Sequence, residues 1–280
     1  MQNGESGVLY LLSGTAYAAR LVVSIASLRR HYDGPVEILT TDSAARRVAG
    51  RLAADQRLNV QLRHVARRPM RRRKSAWLFK TELMGLSNFS TTAYLDCDTL
   101  IAGPISELFQ LPDPEHVIVT QFCNWVTTGR IMSRRIRSWQ DTHPELVPAA
   151  LSFGPAINTG VFSFTRKSRV RERWQEVAHA GRHHFIPDEL AMQLLLPECP
   201  HIVLDGRFNC SSRYGDFMDP QTRIVHFHGN RHLTSGELLW SRAYQTAFDQ
   251  NLGALQEWSP SGDQQLEKHL QSESTVGQSR

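Results

Sequence analysis

The chain has 280 residues, of which 41% are apolar, and its formal net charge is +5. This length and composition are typical of a globular protein with one large domain, alone or with a small appendage. No apolar run approaches the roughly 18 residues that a bilayer span needs, and the first residues, MQNGESG, lack the basic and then apolar order of a signal peptide. We therefore expect a soluble, cytoplasmic protein without a transmembrane anchor.

The cysteines argue for the same compartment. They show neither a C-x-x-C spacing nor the density of a disulfide framework, which disfavours a cysteine-based structural zinc site and a disulfide scaffold. Such a distribution is typical of a reducing compartment. The four are Cys97, Cys123, Cys199 and Cys210.

The first part of the chain alternates short apolar runs with amphipathic segments. The apolar runs predict strands at 8–12, 36–39 and 59–62, and helical spacing predicts helices at 16–31 and 43–55. Asp42 and Ser43 are predicted to cap the second helix. This alternation predicts parallel strands with helices on both faces, and such sheets bind nucleotides beyond the carboxyl ends of their strands. Neither G-x-G-x-x-G nor G-x-x-x-x-G-K-T follows the first strand, so a Rossmann dinucleotide site and a P-loop are disfavoured.

A helix with a lysine on its apolar side is predicted next, at 75–86. Lys80 lies in line with Trp77 and Met84 on this helix. The lysine side chain either extends past the apolar stripe so that its ammonium reaches solvent, or it places that ammonium near a phosphate.

The stretch TTAYLDCDTLI carries the strongest chemical signal. An apolar run at 93–95 ends in Asp96 and Asp98, and the period of a strand places both on one side, with Cys97 on the other. Two carboxylates about 6 to 7 Å apart favour a divalent cation beside them, and oxygen ligands suit Mg²⁺ or Mn²⁺ with positions open to substrate phosphates. The alternative is two turn residues that close a strand.

Three downstream segments have an ordinary structural interpretation when each is taken alone. They are a turn leading into an apolar strand at 155–164, an acidic helix start at 188–189, and an apolar strand with a histidine at 223–229. The residues of interest in them are Asn158, Thr159, Asp188, Glu189, His226 and Gly229.

Basic residues are concentrated at 63–74 and 130–137. Each group is either a solvated loop or a contact for a phosphate-rich, acidic or nucleic-acid ligand. The second lies in a long segment, 123–154, that also carries Trp125, Trp139 and His143. Because aromatic residues beside basic ones suit stacking on sugars and pairing with acids, we interpret this segment as an acceptor wall. Residues 259–280 have few apolar residues and are expected to form a flexible tail.

Taken in order, these motifs resemble the nucleotide-sugar glycosyltransferases of the GT-A fold, and more narrowly the glycogenin-like retaining enzymes of glycosyltransferase family 8. The similarity extends from Val8 to about Gly229 and rests on the order of six motifs. It implies a mixed, Rossmann-like α/β sheet flanked by helices. It also implies a single domain at 1–258, with a nucleotide-binding half at about 8–110 and an acceptor and sugar half at about 111–258.

The resemblance implies roles for individual residues. Asp96, Asp98 and His226 would bind Mn²⁺ or Mg²⁺, and Asp188, Lys80 and Asn158 would be catalytic. Uridine is the base that the resemblance implies, although the residues do not exclude guanosine. The nucleoside-diphosphate sugar would contact the metal ligands, the catalytic residues and also Leu12, Ser13, Thr15, Tyr17, Cys97, Thr159, Glu189, Gly229 and Arg231. Tyr17 would stack near the base, or else pack on the first helix.

Two positions depart from the family pattern. Glu189 stands where the family has glutamine, and residues 230–232, NRH, stand where it has a lysine-containing phosphate loop. Arg231 would then hold the β-phosphate with two hydrogen bonds. His228 shares a side with His226 in a strand, which makes it a rival ligand or a supporting group.

These expectations describe a metal-dependent glycosyltransferase with an unknown acceptor. The acceptor is a glycan, a protein or a small molecule, and it is acidic if it binds the basic groups at 63–74 and 130–137. Retention of configuration follows from the resemblance alone. A nucleotidyltransferase is an alternative, but it would need a longer Gly-rich loop after the first strand. An aspartyl phosphatase would carry its D-x-D motif on the first strand. A basic module that binds nucleic acid or acidic glycans would need no metal and would show a steep salt dependence.

Overall fold

The computed structural model describes residues 5–65, 74–121, 129–211 and 219–227, with positions 242 and 246. The strands are β1 (Gly7–Leu12), β2 (Val36–Thr40), β3 (Val60–His64), β4 (Thr92–Leu95), β5 (Thr99–Ile101), β6 (Val117–Gln121), β7 (Ile157–Phe164), β8 (His201–Leu204) and β9 (Ile224–His226). The helices are α1 (Ala18–Leu28), α2 (Ser43–Ala54), α3 (Lys74–Lys80), α4 (Leu83–Leu86), α5 (Arg130–Arg137), α6 (Val147–Ser152), α7 (Val170–Ala180) and α8 (Pro187–Leu195).

Seven strands form one sheet in the order β3-β2-β1-β4-β7-β6-β8. The first four are parallel, β7 is antiparallel to both of its neighbours, and β8 is parallel to β6. Strands β5 and β9 form a separate antiparallel pair. The mixed α/β sheet is therefore confirmed. The parallel pairing that the early alternation predicts holds among β3, β2, β1 and β4 but fails at β7, which is antiparallel to both of its neighbours. Both predicted halves of the chain contribute to the same sheet.

The core lies on both faces of the sheet. Along β1, Val8, Tyr10 and Leu12 join a cluster with α1 and α2, whereas Leu9 and Leu11 join a second cluster with α3 to α8. The strand alternates between the two faces because its side chains have a period of two residues. Since both faces are covered by helices, the strand is apolar throughout.

The N-terminus of α2 confirms the predicted cap. Asp42 Oδ1 accepts a hydrogen bond of 2.8 Å from the backbone N–H of Ala45, which otherwise has no partner in the first helical turn. The other oxygen, Oδ2, accepts from Gly14 N at 2.7 Å, so one carboxylate joins the loops after β1 and β2. Gly14 has φ of 70°, which glycine adopts without strain.

The predicted continuous helix at 75–86 is wrong. The chain forms α3 and α4 instead, because Thr81 N and Glu82 N donate to the carbonyls three residues earlier, on Leu78 and Phe79. The Thr81 hydroxyl also donates to the Leu78 carbonyl at 2.7 Å. A hydroxyl that bonds to nearby backbone competes with the α-helical pattern, so the helix ends at Lys80.

The acceptor wall predicted at 123–154 needs correction. Its described part, 129–154, is not an open loop but carries α5 and α6, whose Met132 and Ile136 are buried in the core. Trp139 has no exposed surface, so it cannot stack on a sugar. Trp125 lies outside the described residues, as do Cys123, positions 66–73 of the first basic group, and the predicted tail.

Among the described helices, none combines the length and the apolar character that crossing a bilayer requires. The described cysteines, Cys97, Cys199 and Cys210, are free thiols.

The first basic group contributes an ion pair to the sheet. Arg63 on β3 donates to the Glu37 carboxylate on β2 through Nε at 2.6 Å and Nη2 at 2.9 Å, and Nη2 also donates to the Leu86 carbonyl. Glu37 is 1% exposed. We expect Arg63→Met to lower the free energy of unfolding by about 3 to 5 kcal/mol, because it leaves a buried charge without its partner. Urea unfolding measures this loss.

The double variant Glu37→Gln/Arg63→Met is the control. It removes both charges and should recover most of the lost stability. If the double variant is as unstable as Arg63→Met, the cost lies in packing rather than in the unpaired carboxylate.

Candidate active site

The two aspartates lie in a turn between β4 and β5. β4 ends at Leu95, so the pleat of a strand does not align Asp96 and Asp98 as the sequence pattern suggests. Instead, Asp96 N donates to the Gly160 carbonyl at 2.7 Å, and the Thr99 hydroxyl donates to the Asp96 carbonyl at 2.9 Å. The turn brings both carboxylates to the edge of the sheet where β1 and β4 end.

Cys97 has its side chain on the opposite side, as predicted. Its thiol donates to the Leu11 carbonyl at 3.2 Å and belongs to the core. Its side chain therefore does not join the carboxylates, and only its backbone adjoins them.

The β5–β9 pair delivers His226 to the carboxylates. His226 lies opposite Thr99, and its Nε2 is 3.2 Å from Asp98 Oδ1 and 3.8 Å from Asp96 Oδ2. One ligand atom from each of the three residues lies within 4.8 Å of the others. The predicted metal ligands therefore come together in the fold.

Asn209 orients the imidazole of His226. Its Oδ1 is 2.9 Å from His226 Nδ1, so Nδ1–H donates to it and Nε2 faces the carboxylates. Burial lowers the pKa of His226, but the charge of Asp98, the hydrogen bond to Asp98 and the charge of Asp96 together outweigh burial, so the pKa is raised.

Gly160 makes room for this histidine. A Cβ at Gly160 would lie 2.2 Å from His226 Cε1 and 2.7 Å from Asn158 Oδ1. No larger residue fits without displacing the imidazole. The glycine of the N-T-G segment is therefore required by the close approach of β7 to β9.

Lys80 is a buried cation. It is 7% exposed, and its Nζ lies 2.9 Å from Asp96 Oδ1 and 3.7 Å from Asp188 Oδ2. Its Nζ also donates to the Thr159 carbonyl at 3.3 Å. The interpretation as a solvent-seeking lysine is therefore wrong. Burial lowers the pKa of Lys80, but the carboxylates of Asp96 and Asp188 raise it by more, so the ammonium is retained.

The predicted acidic pair occupies the first turn of α8. Asp188 Oδ2 accepts from the Thr159 hydroxyl at 3.1 Å, and Glu189 Oε2 accepts from Asn158 Nδ2 at 2.6 Å. The other oxygens, Asp188 Oδ1 and Glu189 Oε1, are buried without a hydrogen-bond partner among the described residues. Such atoms suit a ligand that donates hydroxyl groups.

The acidic pair titrates abnormally. Burial raises the pKa of Asp188 even though Lys80 opposes it. Burial, followed by the charge of Asp188, raises the pKa of Glu189 to about 7. A carboxyl group in this environment is half protonated near neutral pH.

The loop after β1 adjoins the aspartate turn, because β1 and β4 are parallel neighbours. Leu12 is buried, whereas Ser13 and Thr15 are exposed. Tyr17 is 36% exposed, and the Arg20 guanidinium lies 5.2 Å from its ring centroid. Gly229 and Arg231, with His228, lie outside the described residues.

Three residues of the site were missed in the sequence. Asn209 contacts His226, Asn158 and Thr120, and Tyr94 donates to Asp96 Oδ1 at 2.6 Å. Arg135 Nη1 lies 3.7 Å from Glu189 Oε1. Of these three residues, only Arg135 has a sequence signal, because it belongs to the second basic group. No sequence pattern indicates that Asn209 or Tyr94 lies at the site.

Comparison with known proteins identifies the fold. No protein-family profile matches the chain, and no curated protein has a significant match. Among solved structures, the chain is similar to the galactosyltransferase LgtC in complex with donor and acceptor sugar analogs, with a TM-score of 0.61, 13% identity, and coverage of 86% of this chain and 95% of LgtC. The chain has the fold of these glycosyltransferases.

Two further structures share it. Mouse xyloside xylosyltransferase 1 gives a TM-score of 0.55 at 13% identity and covers 82% of this chain and 99% of its own. The glycosyltransferase GlyE of Streptococcus pneumoniae TIGR4 has a TM-score of 0.61 at 14% identity, and the match covers 89% of this chain and 64% of the GlyE chain. The GT-A arrangement of the sheet and its flanking helices is therefore confirmed.

Glu189→Gln tests the electrostatics of this site. The folded state holds the Glu189 proton up to about pH 7, whereas an unfolded glutamate loses it near pH 4.3. The carboxyl group is therefore neutral in both states below about pH 4, and the folded state loses stability relative to the glutamine variant as pH rises to about 7. We expect Glu189→Gln to be more stable than the wild type by roughly 3 kcal/mol above pH 7.

Urea unfolding of both chains between pH 4 and 8 measures this difference, which should shrink toward zero at pH 4. A difference that does not change with pH would show that Glu189 titrates normally.

Proposed function

We propose that this protein is a metal-dependent glycosyltransferase that moves a sugar from a nucleoside-diphosphate sugar, with uridine as the base, to an acceptor. The observation that carries the proposal is the convergence of Asp96, Asp98 and His226 within 4.8 Å at an edge of a glycosyltransferase fold. Lys80 and Asp188 lie beside this cluster.

The cluster has the chemistry of a divalent metal site. Two carboxylates suit Mg²⁺ and Mn²⁺, and the imidazole favours the transition metal of the two, Mn²⁺. Asn209 fixes the tautomer that presents Nε2, and Gly160 leaves the space that the ring needs. Three protein ligands leave coordination positions for phosphate oxygens.

A bound divalent ion would supply charge stabilisation for the departing nucleoside diphosphate. Lys80 adds a fixed positive charge next to Asp96 in a buried setting, where the charge needs no reorganisation during the reaction. The loop after β1 would contact the nucleoside through Ser13, Thr15 and Tyr17.

We assign the sugar to the carboxylates on α8. Asp188 Oδ1 and Glu189 Oε1 are buried oxygens without a hydrogen-bond partner among the described residues, so each can accept a hydrogen bond from a hydroxyl of the donor. Asp188 would also steady positive charge at the anomeric carbon. Asn158 and Thr159 hold the two carboxylates in place. Retention of configuration is proposed from the family resemblance.

The acceptor is assigned to the exposed surface around Phe185. Phe185 is 58% exposed, lies edge-on to Trp77 with ring centroids 6.0 Å apart, and has the Arg135 guanidinium 5.4 Å from its ring centroid. An exposed aromatic ring beside a guanidinium suits stacking on a sugar that carries an acidic group. We therefore place the acceptor near Phe185 rather than near the buried Trp139.

Asp98→Asn tests the metal site. The substitution keeps the shape of the side chain but removes a charged ligand, so Mn²⁺-dependent release of nucleoside diphosphate should fall at least about a hundredfold, with the thermal midpoint within a few degrees of wild type. Excess EDTA should abolish wild-type activity. Asp33→Asn, at an exposed aspartate, is the matched control and should leave activity unchanged.

Product analysis in the same assay separates the alternatives. Release of pyrophosphate would identify a nucleotidyltransferase. Full activity in EDTA, or in Asp98→Asn, would refute the metal-dependent mechanism.

A further inference from the structure

A second group of metal-ligating side chains lies apart from the aspartate turn. Asp141, in the turn after α5, faces His183 and His184, which lie in the loop between α7 and α8. Ligand atoms of these three residues lie within 4.8 Å of one another. The glycosyltransferase resemblance implies no role for these three residues.

We propose that Asp141, His183 and His184 form a Zn²⁺ site that links the loop before α8 to the turn after α5. The site involves none of the residues assigned to the proposed glycosyl transfer.

The distances fit a tetrahedral ion. His184 Nε2 lies 3.5 Å from Asp141 Oδ1, and His183 Nε2 lies 3.6 Å from Asp141 Oδ2. Ligands bound tetrahedrally to zinc at its usual bond lengths lie about 3.3 to 3.6 Å apart. Each imidazole therefore lies at such a distance from one oxygen of the carboxylate, and one ligand atom from each of the three residues lies within 4.8 Å of the others.

The ligand set selects the metal. Two imidazoles and one carboxylate suit Zn²⁺ and other late transition metals, whereas Mg²⁺ prefers oxygen. The Asp96, Asp98 and His226 group has two carboxylates and one imidazole instead. The two sites should therefore differ in metal preference. Three protein ligands leave a fourth position for water.

The surroundings hold one imidazole in place. His184 stacks on the buried Trp139 with ring centroids 4.7 Å apart and an interplanar angle of 24°. A Cβ at Gly181 would lie 2.1 Å from Trp139, so the glycine is needed for this packing. The Thr142 hydroxyl donates to Asp141 Oδ1 at 3.0 Å, which orients the carboxylate. A partly fixed ligand set loses less entropy on binding.

The group is accessible to an ion from solvent. The side chains of Asp141 and His183 are 64% and 58% exposed, whereas that of His184 is 10% exposed. The hydrogen bond from Thr142, followed by a backbone hydrogen bond and the neighbouring histidines, lowers the pKa of Asp141.

The position gives the site a structural role. The loop that carries the two histidines continues through Ile186, which has φ of 50°, into α8 with Asp188 and Glu189. A positive φ is strained for a β-branched residue and needs support from its surroundings. A metal that joins this loop to the turn after α5 would supply such support.

Zn²⁺ binding by the full chain tests the proposal. Isothermal titration is performed in excess Mg²⁺ on a chain that carries Asp98→Asn, which removes a ligand from the other cluster. This parent should bind one Zn²⁺. Adding His183→Ala or Asp141→Asn should weaken Zn²⁺ binding at least tenfold. Loss of a residue that only hydrogen-bonds to a metal ligand already costs about 10- to 100-fold in affinity, and loss of a ligand itself should cost no less. His179→Ala, at an exposed histidine on α7, is the matched control and should bind like the parent.

The thermal midpoint gives a second readout that does not depend on activity. Zn²⁺ should raise the midpoint of the parent and of His179→Ala but not that of the two ligand variants. Without Zn²⁺, all four chains should melt alike, since the substituted side chains are exposed. Equal Zn²⁺ affinity in the parent, His183→Ala and Asp141→Asn would overturn the proposal.

Discussion

The candidate active site depends on the buried ammonium of Lys80. It lies between Asp96 and Asp188, two carboxylates from distant parts of the chain that would otherwise repel each other in a poorly hydrated interior. Asp98 and Glu189 add further acidic groups to the same region. Lys80 and Arg135 together carry less positive charge than the four acidic residues would carry negative charge. This imbalance favours both a divalent cation at the aspartate turn and a retained proton on Glu189.

The fold fixes the relative positions of these charges through the sheet. β4 brings the aspartate turn next to the loop after β1, and β7, antiparallel to β4, brings Asn158, Thr159 and Gly160 against the same turn. Helix α8 then packs its acidic first turn on β7 through hydrogen bonds to Asn158 and Thr159. Nucleoside, metal and sugar sites would thus lie along one edge, which is where open α/β sheets bind ligands.

Much of this arrangement was predictable from the sequence. Apolar runs located β1, β2 and β4, and the Asp42 cap located α2, because these elements depend on local patterns. The order of motifs led to the fold and to the grouping of Asp96, Asp98 and His226. Local patterns did not reveal how the aspartates converge, since a turn rather than a pleated strand aligns them.

Contacts between distant segments account for the errors and omissions. Asn209 reaches His226 only because Cys210 bridges to β9, a three-residue strand that has little sequence signal. Lys80 lies in line with apolar residues of its predicted helix, and that spacing does not separate a lysine that extends into solvent from a buried one. Its burial depends on Asp96 and Asp188, which lie in other elements. Trp139 in a basic segment resembled a sugar platform, but amphipathic α5 directs it into the core.

The most direct test of the metal site is anomalous diffraction from crystals grown with Mn²⁺ and uridine diphosphate. Our account predicts a manganese peak about 2.0 to 2.3 Å from oxygens of Asp96 and Asp98 and from His226 Nε2, with diphosphate oxygens completing the coordination. A nucleotide bound at the ends of β1 and β4 with no manganese peak among these three side chains would contradict it.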